Sequence, residues 1–283
     1  MGGLCFLFVL LFAYAPLAGW IIAFANYKPG MSLSQMKFAG LSNFKLLFQF
    51  TTAMRPLLNT LIFSSIGLIC TPLSPIIAIL LSEIKAKKYK SAIQTFITFP
   101  NFISWILVFA LAIAMFSSDG VINQLLKGAG LSPVDPNGSL KAVYLYQTLL
   151  SLWKGAGFGA IIYLASLSGV DPEQYDAVDV DGGGRWAKIV HVKLPSLYPT
   201  YFTLLILQIG QFLNNGFEQY YAFNNGMVQD HIMVLDLYVY VMGISMHNYG
   251  VATAIGMMKT VVSFFLLTTA NYASKRVRGE AIL

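Results

Sequence analysis

The sequence predicts an all-α integral membrane protein with six transmembrane helices and a cytoplasmic helical elbow between helices four and five. Three observations predict it. The mean hydropathy is +0.66, with 57% hydrophobic and 11% charged residues, too apolar for a water-soluble surface. Runs without charge recur along the chain: Met1 to Asn26, Pro56 to Ser82, Ser91 to Ser118 and Leu194 to Phe217. Two more, Ala142 to Val170 and Leu237 to Ser274, are each split by one lysine, Lys154 and Lys259. A span needs about 20 mostly apolar residues, so six are counted. Thirdly, the charge is gathered between the runs.

Taken in order, helix one is predicted over about 4–25. It lacks a basic leading segment and five spans follow, so it reads as a helix rather than a signal peptide, with a short preceding tail expected. The segment after it holds a short amphipathic helix, capped by Ser42 or Asn43, on the outer surface. Helix two, about 57–81, contains Pro72 and Pro75 and is expected to kink inside a bundle. Helix three, about 92–116, kinks at Pro100. A polar outer loop follows, with one short helix near Val121 to Lys127. Helices four, five and six are predicted over about 142–167, 198–221 and 249–273. The whole chain, 1–283, reads as a single transmembrane domain with the elbow at about 171–195.

The net charge of +6 does not point to nucleic acid, because the basic residues flank spans. Lys85, Lys87, Lys88 and Lys90 follow helix two; Lys275, Arg276 and Arg278 follow helix six. With six spans these clusters share a side with the loop after helix four, and the positive-inside rule makes that side the cytoplasm, C-terminus included. Lys28, Lys37, Lys45 and Arg55 then lie outside; the densest clusters set the orientation. Cys5 and Cys70 read as packing residues, and His191, His231 and His247 have no ligand spacing.

Five of the twelve acids fall between Asp171 and Asp181, in VDPEQYDAVDVDGGGRWAK. A calcium loop with Gly182 sixth would put Ala177 first and Lys188 twelfth, where carboxylates are needed. Three glycines without GxxxxGK make no phosphate loop. Local physics gives a helix–turn–helix instead. Asp171 caps, Pro172 suits the first turn, Gln174 completes a capping box, and the acids at 171, 173 and 176 favour the helix start. Gly182 to Gly184 break the helix, Arg185 to Val192 form a second, and Leu194-Pro195 end it. Ala177, Val178 and Trp186 are apolar beyond what a solvated loop uses.

This loop resembles one in the permeases of binding-protein-dependent ABC importers, whose pattern is EAA, three residues, G, nine residues, I, one residue, LP. Here Asp176-Ala177-Val178, Gly182, Val192 and Leu194-Pro195 stand at that spacing. Trp153-Lys154 with Tyr163-Leu164-Ala165, Gly216-Phe217-Glu218-Gln219-Tyr220-Tyr221 and Tyr249 to Gly256 are similar to oligosaccharide and polysaccharide-fragment permeases of the carbohydrate-uptake class, across essentially the whole chain. The resemblance implies a type I, MetI-like fold in a bacterial inner membrane. It also implies a heterodimer with a second permease, two cytoplasmic ATPase subunits and an external solute-binding protein. Cofactors are expected on the ATPase, as ATP and magnesium, and none on this chain. The elbow becomes a coupling helix, with Asp171, Glu173, Asp176, Ala177, Val178, Asp181, Gly182, Gly183, Arg185, Val192, Leu194 and Pro195 as its residues. Asp176 for Glu and Val178 for Ala bear on which ATPase it accepts.

Helix five carries a polar stripe. On a continuous helix Gln208, Gln211, Asn214, Asn215, Glu218 and Gln219 fall within an arc of roughly 140°. Polar groups facing lipid are expensive, so the stripe faces the partner permease or a water-filled path, where it and Tyr220 can meet sugar hydroxyls and Phe212, Phe217 and Tyr221 can stack. Lys154 is expected at an interface or lumen, Glu218 near the outer end of helix five and Asp236 outside. No nucleophile–base or metal constellation stands in the spans, which disfavours an enzyme. The rival reading is an ion-gradient-driven transporter or channel, a class that places acids or broken helices at mid-membrane.

Overall fold

The structure, a computed structural model, describes residues 2–32, 35–49 and 51–278, with the side chains of 47–49, 51, 52, 277 and 278 excepted. The chain begins with α1 (Gly2–Val9), which passes through a π turn and a 3₁₀ segment to Phe24. A two-residue hairpin of β1 (Ala25–Asn26) and β2 (Lys37–Phe38) interrupts the otherwise helical fold. Then come α2 (Ser42–Gln49), α3 (Thr51–Ile69), α4 (Leu73–Ser82), α5 (Lys87–Thr98), α6 (Trp105–Phe116), α7 (Val121–Gly128) and α8 (Val143–Ser168). The elbow is α9 (Pro172–Val180) and α10 (Arg185–Lys188), and α11 (Leu194–Gly210) follows. The chain ends through α12 (Glu218–Phe223), α13 (Gln229–Ile232), α14 (Leu235–Tyr240) and α15 (Tyr249–Arg278).

Among the described residues five helical stretches are long and apolar enough to cross a membrane: Gly2–Phe24, Ala53–Ser82, Trp105–Gly128, Val143–Ser168 and Tyr249–Arg276. Two predicted spans are corrected. The third, 92–116, is no single kinked helix: α5 ends at Thr98, a 3₁₀ turn covers Phe99–Phe102, and α6 starts afresh under the Ser104 cap. Pro100 denies the ladder a donor, and the chain leaves the helical region at Ile103 and Ser104, both extended. The fifth, 198–221, stops at Gly210 and resumes only at Glu218, because Asn214-Asn215-Gly216 is a turn sequence. Helix two breaks between Ile69 and Leu73, ahead of Pro72 and Pro75.

Backbone contacts divide the chain into two compact units where the sequence predicts one domain. The first comprises Met1–Ile62 and Phe212–Phe265. Asn43, far from capping α2, is buried and donates from Nδ2 to the carbonyls of Ala23 at 2.9 Å and Ala25 at 3.2 Å, anchoring α2 to the end of the first span. Buried Asn59 donates to the carbonyls of Asp230 and Met233, both at 2.9 Å, and buried Thr60 accepts from Leu235 N at 2.8 Å. Span two thus satisfies the irregular backbone leading into α14, which in lipid has no other partner. Ile232, Val234, Leu237 and Ala254 form the fully buried interior.

The second unit comprises Phe63–Gln211 and Leu266–Leu283. Its core joins Ala78, Ile79 and Leu81 of α4, Ala160, Tyr163, Leu164 and Leu167 of α8 and Leu197 of α11. The run Lys154-Gly155-Ala156-Gly157-Phe158-Gly159-Ala160 explains why α8 can sit so deep. A Cβ at Gly157 would stand 2.1 Å from the Ile97 carbonyl oxygen, so only glycine lets the end of α5 approach. Small residues are how helices meet closely in lipid. One turn away, Lys154 Nζ donates to the carbonyls of Asn101 at 2.7 Å and Pro100 at 3.4 Å and lies 5.4 Å from the Trp105 ring centre. The helical ladder ends at the break in helix three, and a cation at a helix C-terminus answers the charge of the last carbonyls.

Candidate functional site

The elbow is built from its cap upward. Asp171 Oδ1 accepts from Glu173 N at 3.0 Å, and Pro172 occupies the first turn, where it has no donor to lose. The helix ends on Gly182 at φ +72°, a conformation that costs glycine nothing. Gly183 allows the close turn behind it: a Cβ there would stand 2.5 Å from Val178 Cγ1. Lys188 Nζ donates to Asp179 Oδ2 at 2.6 Å and stitches the two arms together. Leu194-Pro195 does not end the second arm as predicted; α10 runs through a π turn at Ile189–Lys193 into α11. The π turn widens the ladder just ahead of Pro195, whose ring would otherwise meet the carbonyl four residues back.

The predicted residues separate into two groups. Val192 is buried, Leu194 packs on the core and Val178 lies against the turn, so these three hold the elbow. Asp171, Glu173, Asp176, Ala177, Asp181 and Pro195 are exposed, and Asp176 and Glu173 make none of the ion pairs among the described residues. Two apolar side chains accompany them: Val180 is 87% exposed and Trp186 75%. Apolar residues this bare at the tip of a charged projection are the composition of a docking surface.

Three participants are absent from the sequence reading. Glu83, in the turn after α4, accepts from Arg185 Nε with one oxygen and from Lys193 Nζ with the other. Lys193 also donates to Ser82 Oγ at 2.8 Å. Burial pushes the Glu83 carboxyl up, but the hydrogen bonds and charges of Lys193 and Arg185 outweigh it and hold the group below its ordinary value. The second arm of the elbow is thereby tied to the end of span two, and the first arm follows it through the Lys188–Asp179 bond. A lone acid among four lysines between 83 and 90 was the available signal; partners over a hundred residues away were not readable.

The second predicted set is not one stripe. With the helix broken at Gln211, positions three and four apart no longer share a face, and the six residues form no single arc. Gln208 lies in the last turn of α11 and Gln211 is its C-cap, both in the second unit. Asn214, Asn215, Glu218, Gln219 and Tyr220 belong to the first. There Asn214 and Glu218 are exposed, whereas Gln219 and Tyr220 are buried. Asp236 pairs with buried Lys259 of α15, and its Oδ2 accepts from Asn215 N at 2.9 Å and Gly216 N at 3.2 Å. The break in helix five is therefore held by a carboxylate, and Lys259 supplies the compensating charge. Phe217, Tyr221 and Tyr240 cluster beside it with ring centres 4.6 to 5.4 Å apart.

Comparison with known proteins agrees with this architecture. Residues 72–279 match the family described as binding-protein-dependent transport system inner membrane component. The chain is 39% identical over 281 residues to Protein LplB of Bacillus subtilis (strain 168), covering 98% of this chain and 87% of that protein. It is 34% identical, with the same coverage, to the polygalacturonan/rhamnogalacturonan transport system permease protein YteP of the same organism. Among solved structures, a chain of a bacterial alginate ABC transporter in complex with an alginate pentasaccharide-bound periplasmic protein is similar at 30% identity. It has a TM-score of 0.88 and covers 98% of this chain and 93% of its own.

Proposed function

Since the chain belongs to the binding-protein-dependent transport system inner membrane components, we propose that it is the permease of an ATP-driven importer that passes an oligosaccharide. An external solute-binding protein delivers the sugar. The chain pairs with a second, related permease, and two cytoplasmic ATPase subunits close beneath them, holding the ATP and magnesium. The observation that carries the reading is the elbow: outward it presents Asp176, Ala177, Val180 and Trp186, and inward it is clamped to span two by Glu83. A lever needs a rigid attachment at one end and a free contact surface at the other. Closure of the ATPase moves Trp186 and its neighbours, and the Glu83 clamp carries that motion into α4 and α11.

The carbohydrate substrate rests on the relatives and the solved neighbour, whose names concern polygalacturonan, rhamnogalacturonan and alginate. The elbow's side is the cytoplasm, as is that of Lys275 and Arg276 at the end of α15, which requires α11 with the stretch beyond it to make a sixth crossing. Residues of α11 rise about 1.5 Å each, so 17 of them reach roughly 26 Å, short of a hydrocarbon core of about 30 Å. Non-helical backbone at that depth is tolerated only inside protein or along water. Gln211 to Phe217 with the aromatic cluster then lines the sugar's route.

The test is uptake by the reconstituted assembly. Asp176→Lys, at an exposed side chain, should leave the chain inserted while abolishing transport of alginate or galacturonan oligosaccharides and loosening the ATPase. Normal uptake by that variant would remove the coupling role.

A further inference from the structure

A cleft of about 700 Å³ lies at the foot of the elbow, between the turn after α4, the end of α8 and both elbow arms. Five cations line it, Lys85, Lys90, Arg185, Lys188 and Lys193, against two carboxylates, Glu83 and Asp179. Both carboxylates are already taken: Glu83 by Arg185 and Lys193, Asp179 by Lys188. Lys85 and Lys90 make none of the ion pairs among the described residues. A cleft with two uncompensated ammonium groups favours an anion.

Its place in the fold selects the anion. Ser82 and Ser168, which line the cleft, are the last residues of two apolar spans, so it opens where hydrocarbon gives way to water. Leu164 and Leu167 line it as well. On α4, Ile76 and Leu80 are exposed at 50% and 63%, about two turns and one turn short of Glu83. An acyl chain can lie along such a surface while its headgroup meets the lysines; a free anion would use the lysines alone. Exposed Lys87 and Lys88 extend the cluster, and four lysines directly past a span are the pattern by which proteins hold anionic headgroups. We propose that this cleft binds the phosphate of an anionic phospholipid, with Lys85 and Lys90 as its donors. The lipid then bridges the end of span two to the elbow, and the charge of the surrounding membrane bears on the elbow's position.

The full chain, purified in neutral detergent, can be offered phosphatidylglycerol and phosphatidylcholine in mixed micelles and the retained lipid counted by native mass spectrometry. Phosphatidylglycerol should be retained roughly tenfold over phosphatidylcholine. Lys85→Gln/Lys90→Gln should lose that preference, and Lys275→Gln/Arg276→Gln, which removes the same charge at the end of α15, should keep it. Lys85→Gln alone, at an exposed position, should halve the preference or better and serves if the double variant does not accumulate. Equal retention of the two lipids by the wild type, or an undiminished preference in the Lys85→Gln/Lys90→Gln chain, overturns the proposal. Displacement of the lipid by an equal concentration of inorganic phosphate would overturn the lipid as the source of the anion. A double variant that keeps its lipid and sheds the ATPase would make the cleft a protein contact, and that also overturns it.

Discussion

Glu83 stands where the last turn of α4 meets Arg185 and Lys193, and its charge state decides whether the clamp exists. Its folded pKa lies below the ordinary 4.5, so the stabilisation is fully present above 4.5 and is lost as pH falls through the folded value. The wild-type chain should therefore melt at progressively lower temperature once pH drops below 4.5, and Glu83→Gln should lack that part of the slope. At neutral pH the substitution leaves Lys193, buried to 8% exposure, without its carboxylate, a cost of about 3–5 kcal/mol. A calorimetric scan of both chains against pH checks it; parallel slopes would show that the clamp carries no stability. Asp171 as a cap and Gly182 as a turn were legible because their partners lie within three residues. Glu83 was not, since nothing local links it to residues 102 and 110 positions on.

At the scale of elements, the apolar runs were readable wherever helical periodicity held, and unreadable where the chain leaves the helix inside a run. Pro100-Asn101 and Asn214-Asn215-Gly216 were turn signals within uncharged sequence, and hydropathy outvoted them. The misreading matters most for the stripe on helix five, because a moment computed at a fixed angle per residue has no meaning across a break. Lys154 was visible as a charge in a span, but its task, ending a broken neighbour, depends on that break. Lys154→Met should keep the side chain's bulk and remove the lysine's bond to the Asn101 carbonyl, costing about 1.5–3 kcal/mol as a lost charged hydrogen bond. Thermal unfolding in detergent measures this; an unchanged melting temperature would mean water replaces the lysine. On the elbow, Gly182→Pro cannot adopt φ +72° because proline is fixed near −65°. The chain should still insert, since α8 and α11 are untouched, while uptake is lost and the ATPase no longer co-purifies.

For the whole molecule the open choice is topology and the route of the sugar. With Cys5 and Cys70 replaced by alanine, Val180→Cys, 87% exposed on the elbow, should react with an impermeant thiol reagent only from the cytoplasmic side. Leu131→Cys, 59% exposed in the loop after α7, should react only from outside. Reversed labelling would invert the orientation. The route is tested at Gln211 and Glu218. A sugar sheds water on its way through and needs replacement partners; each lost bond to a neutral group costs about 0.5–1.5 kcal/mol and each to a charge about 1.5–3 kcal/mol. Glu218 is exposed at the start of α12 whereas Gln219 beside it is buried at 5%. Glu218→Gln keeps the shape and removes the charge, so uptake should fall by roughly tenfold or more at unchanged ATPase binding, and Gln211→Leu should fall less. Gln219→Asn opens a small void in the first unit and should lower stability instead, leaving uptake per assembled complex near wild type. If these polar groups serve the interface with the second permease, the pattern changes. Glu218→Gln and Gln211→Leu would then reduce the yield of heterodimer, and the complexes that do assemble would transport at the full rate. Counting assembled complexes alongside uptake separates the two, because a defect in the route persists after normalisation and a defect in assembly vanishes.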